Sequence, residues 1–132
     1  MPRMTTSEFI YTVLLKPRLL RRVANALIKL ILPQTVRVRD AVIWINPNDP
    51  VVSGALALGV YERDEISFFQ SHFTKGMTFI DVGANAGLYT GLALSTKDYK
   101  GTLLAIEPCS ESRYYLEKTI QNNRTTEQSH SM

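Results

Sequence analysis

An acid, two glycines and an asparagine fall within seven residues at Asp81, Gly83, Asn85 and Gly87. Upstream, Met77-Thr78-Phe79-Ile80 is a short apolar run that closes on the acid; downstream, Leu88-Tyr89-Thr90 resumes in helix-compatible residues. A strand, a glycine loop and a helix in succession present unpaired backbone N–H groups, and the positive end of a helix dipole, to a ligand. Gly83 and Gly87 let the backbone turn tightly and approach that ligand closely. Asn85 between them is the non-glycine type that best tolerates a left-handed conformation. A nucleotide-type cofactor is the chemistry such a loop suits.

The register narrows the choice. The dinucleotide pattern G-x-G-x-x-G requires glycines at 83, 85 and 88, where the chain has Gly83, Asn85 and Leu88; the Gly-Lys-Ser/Thr ending of a phosphate-binding loop does not occur. What remains is acid-x-Gly-x-Gly-x-Gly, met at Asp81, Gly83 and Gly87 with Asn85 in the middle position, which resembles the first motif of class I S-adenosylmethionine-dependent methyltransferases. One βα unit later, Gly101-Thr102-Leu103-Leu104-Ala105-Ile106-Glu107-Pro108 has the composition of a buried parallel strand that ends in an acid and is stopped by proline. Glu107 follows Gly87 by 20 residues, the separation at which a crossover helix returns the chain beside its starting strand. A carboxylate there can accept hydrogen bonds from the ribose hydroxyls of an adenosine.

The wording around this pair is more particular. Gly59-Val60-Tyr61-Glu62, Asp81-Val82-Gly83-Ala84-Asn85-Ala86-Gly87-Leu88-Tyr89-Thr90, Ala105-Ile106-Glu107-Pro108 and the segment from Tyr115-Leu116 to Asn123 are similar to FkbM-type methyltransferases. The resemblance covers roughly residues 46–123 and implies a Rossmann-like α/β fold, S-adenosylmethionine as cofactor, and methyl transfer to a hydroxyl of a sugar, polyketide or similar small-molecule or glycan acceptor. It implies that Asp81 lies near the amino group of the cofactor's methionine, that the amides from Gly83 through Ala84 and Asn85 to Gly87 serve its carboxylate, and that Glu107 holds the ribose. Tyr61 and Glu62 are expected at the border of the pocket. Thr119 stands where the family commonly has Asn. The acceptor pocket and a later acidic Asp-x-Glu-Gly segment of the family lie past residue 132, so the chain is expected to be a truncated cofactor-binding half with an incomplete parallel sheet, inactive alone. The sulfonium is an activated donor, so catalysis is mainly the positioning of an acceptor oxygen. No residue is assigned as catalytic base, and none as a metal ligand.

These residues need elements to position them. Residues 46–123 form the expected cofactor-binding domain, residues 1–45 an extension of basic helix and short β-hairpin, and residues 124–132 a polar tail. Within the extension, Ser7 to Leu15 and Pro17 to Leu32 are expected helices, the second with Leu19, Leu20, Val23, Leu27, Leu30 and Ile31 on one face. That face either packs on the domain or lies on anionic lipid or a partner, which makes residues 17–32 a candidate for peripheral membrane contact. Val36 to Val38 and Val42 to Ile45 are expected strands about a turn at Arg39-Asp40. Asn46 to Pro50 is a loop; Val51 to Leu58 suits helix or strand and ends at Gly59. Glu62 to Phe73 is an expected helix with Gly76 as its stop signal, Leu88 to Leu94 the crossover helix, and Ser110 the cap of a last helix to about Gln121, with Leu116 and Ile120 toward the sheet.

Composition agrees with one α/β domain: 132 residues, 45% hydrophobic and 20% charged. The net charge of +3 hides an asymmetry, because residues 1–40 hold eight Lys/Arg against Glu8 and Asp40, for +6, leaving −3 for the rest. The basic character therefore belongs to the extension, and nucleic-acid binding is not expected. The single Cys109 forms no internal disulfide and suits a reducing cytoplasm. No run reaches the roughly 18 apolar residues of a membrane span. Two alternatives to the enzyme stand beside it: a non-enzymatic remnant that binds a partner or membrane surface through its basic helix, and an NAD-binding Rossmann domain, which the glycine register disfavours.

Overall fold

The computed structural model describes residues 23, 26, 27 and 29–124, which form a mixed α/β structure with two small sheets. Strands β1 (Thr35–Val38) and β2 (Ala41–Trp44) pair antiparallel across the two-residue turn Arg39-Asp40, where Arg39 takes the left-handed conformation at φ 55°. Helix α1 (Pro50–Ala57) resolves the ambiguous segment: Asp49 accepts from the Val52 amide, and Pro50 occupies the first turn, where its missing N–H costs nothing. Gly59, at φ 65°, ends that turn of chain.

Helix α2 (Arg63–His72) starts at Glu62, itself left-handed at φ 44°, and buries Ile66. It ends earlier than the glycine signal suggests. Phe73 leaves in an extended conformation and stacks on Phe69, with ring centroids 4.8 Å apart, so Gly76 lies beyond the helix and does not terminate it. The second sheet pairs β3 (Phe79–Val82) with β4 (Leu103–Ile106) in parallel, Asp81 opposite Ala105 and Val82 opposite Ile106. Helix α3 (Leu88–Leu94) is the crossover between them, and α4 (Ser110–Asn123) follows β4. Ser110 is the first helical residue of α4, and the cap position falls one residue earlier, on Cys109.

Helix α4 packs mainly against β2 and α3, and Leu116 is buried beside Gly87 at the head of α3. The core explains why. Ala41, Ile43 and Ile45 of the hairpin strand share one cluster with Leu56, Ile66, Leu88 and Leu92. The boundary expected at residue 45/46 therefore runs through a common core. Polar side chains fix the same junction. Asn123 accepts from the Val42 amide at 2.9 Å and donates to the Val42 carbonyl at 2.7 Å, as a neighbouring strand would. Thr119, fully buried, accepts from the Trp44 amide at 3.0 Å and donates to the Ala86 carbonyl at 2.7 Å, joining the hairpin to the glycine loop.

One face of the parallel pair is open. Ile80 and Val82 of β3 and Leu104 and Ile106 of β4 alternate onto it and are 45–76% exposed. The described part of the N-terminal segment is helical and stops before Pro33, yet Val23, Leu27, Leu30 and Ile31 are 53–82% exposed. At these four positions the apolar stripe does not pack on the domain. The expected helix at Ser7 to Leu15, the rest of the Pro17 to Leu32 segment and most of the polar tail lie outside the described residues.

Candidate functional site: a glycine loop at the end of a parallel strand pair

The parallel register places the loop over the end of β4, since the Gly83 and Ala84 amides both donate to the Ile106 carbonyl, at 2.8 and 3.1 Å. Gly83 at φ 75°, Asn85 at φ 49° and Gly87 at φ 88° put three left-handed residues within five, the conformation that the glycines and asparagine are suited to. Gly87 is needed twice over: a Cβ there would lie 2.8 Å from Leu116 Cδ1 and 3.3 Å from Thr119 Cγ2. At Gly83 the space is open, so only the backbone angle demands glycine.

The two acids do different work. Asp81 is buried, and its Oδ2 accepts from the Thr90 amide at 3.1 Å and the Thr90 hydroxyl at 2.6 Å. It thus caps α3 from the preceding strand, satisfying a first-turn N–H that no residue of the loop reaches. Its Oδ1 has no hydrogen-bond donor among the described residues. Glu107 is half-buried; its Oε2 accepts from the Asn85 amide and its Oε1 from the Cys109 amide, both at 2.8 Å. The carboxylate therefore bridges the glycine loop to the start of α4. Each oxygen retains a second lone pair for a hydroxyl donor.

Tyr61 and Glu62 meet the site from the side. The Glu62 carboxylate accepts from the Tyr89 hydroxyl at 2.6 Å, linking the head of α2 to the first turn of α3. Burial, then hydrogen bonding to Glu62 and its negative charge, push the Tyr61 hydroxyl up to about 12; the same causes in the same order raise Tyr89. The sequence marks Tyr61 and Glu62 but misses Tyr89 as their partner. Cys109 is exposed, and the Ser112 and Glu111 amides of the α4 first turn hold its thiol below the ordinary value.

Asp81, Gly83, Ala84, Asn85, Gly87 and Glu107 are thus brought together around one loop, with Ala84 buried beneath it and Tyr61 and Glu62 reached through Tyr89. Among the described residues no three His, Cys, Asp or Glu side chains are grouped to hold a metal ion, and no helix is long and apolar enough to cross a membrane. No family model, no curated protein and no solved structure matches the chain.

Proposed function

We propose that the chain is the cofactor-binding portion of a Rossmann-like S-adenosylmethionine-dependent methyltransferase of the FkbM type, acting on a hydroxyl of a small-molecule or glycan acceptor. The observation that carries this reading is the Glu107–Asn85 contact: an acid ending one parallel strand touches the left-handed loop that ends its neighbour, and still has lone pairs to offer. The ribose hydroxyls donate to Glu107, and the free Oδ1 of Asp81 takes the amino group of the cofactor. The Gly83, Ala84, Asn85 and Gly87 amides already donate within the fold, which leaves the Ala86 N–H as the loop donor for the cofactor's carboxylate. Gly83 and Asn85 with their left-handed angles suit this role, while the missing third glycine at 88 speaks against a pyrophosphate of NAD. Isothermal titration with S-adenosylmethionine, beside NAD and a Glu107→Ala variant, tests the reading. Saturable binding of S-adenosylmethionine alone, lost in the variant, supports it; binding of NAD instead refutes it.

A second reading concerns the extension and does not exclude the first. The exposed stripe of Val23, Leu27, Leu30 and Ile31, in a segment whose sequence also carries Arg21, Arg22 and Lys29, suits peripheral contact with an anionic membrane surface. Co-sedimentation with phosphatidylserine vesicles, abolished by Arg21→Glu with Arg22→Glu, is the expected result; equal sedimentation of the variant removes this reading.

A further inference from the structure

A cleft opens between the β1–β2 turn and the first turn of α2, with a volume of about 800 Å³, a size typical of small-molecule sites. Arg37 and Arg39 line it from the hairpin and Arg63 from the helix. Their guanidinium groups make no hydrogen bond and no ion pair among the described residues. Three acids share the cleft. Glu62 accepts from the Tyr89 hydroxyl, while Asp64 and Glu65 stand in the first turn of α2, where they complement the helix dipole. The three arginines are exposed to solvent at the cleft and carry no protein partner among the described residues, and their planar forks match a carboxylate or phosphate.

We propose that this cleft binds the oxyanion group, phosphate or carboxylate, of a small hydroxyl-bearing compound through Arg37, Arg39 and Arg63. Glu62 lines the cleft and holds Tyr89 at the head of α3, so the bound compound lies one residue contact away from the glycine loop. Its identification with the methyl acceptor rests on the methyltransferase reading; the anion site itself does not.

The test is titration of the full chain, followed by amide chemical shifts, with glucose 6-phosphate, glucuronate and glucose, each with and without S-adenosylmethionine. Glucose 6-phosphate or glucuronate is expected to bind saturably and glucose not, the pair of arms telling phosphate from carboxylate. Arg37→Gln with Arg39→Gln, and separately Arg63→Gln, each weaken binding about tenfold or more, with unchanged far-ultraviolet circular dichroism. Lys97→Gln with Lys100→Gln, exposed before β4 and not lining the cleft, leaves it unaltered. Equal affinity for glucose, no anion binding, or loss only in the Lys97/Lys100 variant overturns the inference. S-adenosylmethionine binding without anion binding removes the inference and leaves the methyltransferase reading; anion binding alone does the reverse.

Discussion

Gly87 carries two constraints that Gly83 does not share, and substitution separates them. Gly83→Ala meets open space and bears only the left-handed strain, so a loss of about 1 kcal/mol is expected. Gly87→Ala adds a collision with Leu116 at 2.8 Å, for about 3 kcal/mol in all, read from urea midpoints at constant slope. The Tyr61–Glu62–Tyr89 cluster gives a pH signature. Both tyrosines hold their protons in the fold at pH values where the unfolded chain has lost them. The folded state then binds more protons, so stability falls as pH rises from about 10 toward 12. Absorbance titration should show Tyr61 ionising near 12, and Glu62→Gln should lower both groups while burial keeps them above the ordinary value. The glycines and both acids were legible because their types and spacing are set by backbone angle and strand register. Tyr89 was not, since its partner is 27 residues away and only packing brings them together.

At the scale of elements, the hairpin is held to the domain by α4. Asn123→Ala removes both bonds to the Val42 backbone, and Thr119→Val leaves the Trp44 amide and the Ala86 carbonyl without the hydroxyl. Each is expected to cost about 1–3 kcal/mol. Native-state hydrogen exchange should show faster exchange of Val42 NH in the first variant and of Trp44 NH in the second. Unchanged protection would mean the hairpin is held by apolar packing alone. Thr119 stood out in the sequence as a departure from the family wording; in the fold it has a bridging role of its own. Local signals placed most elements: Gly59, Arg39-Asp40 and the apolar runs at Phe79 and Leu103 all act through neighbouring backbone, whereas Pro50, expected in the loop, begins α1. The shared core was hidden for the opposite reason. Ile43 and Leu92 meet only through tertiary packing, and the Asn-Pro-Asn-Asp-Pro loop between the hairpin and α1 looks like a linker whatever flanks it.

At the scale of the molecule, the parallel pair is the unusual feature. Parallel sheets are ordinarily covered on both faces, yet Ile80, Val82, Leu104 and Ile106 are open here. Such a patch favours self-association and dye binding. Anilinonaphthalene sulfonate fluorescence is expected to rise with the chain present, and Val82→Ser with Leu104→Ser to reduce it; an unaltered signal would place the dye elsewhere. The same pair carries the functional claim, because its parallel register is what sets Glu107 against the loop. The most direct measurement is therefore a two-dimensional amide spectrum of the labelled chain during addition of S-adenosylmethionine. Saturable shifts confined to the Gly83, Ala84, Asn85, Ala86, Gly87 and Cys109 amides, with none on adding NAD, are the predicted result. A folded spectrum unmoved by S-adenosylmethionine, or shifts of the same amides with NAD, would contradict the assignment of this loop to a methyl donor.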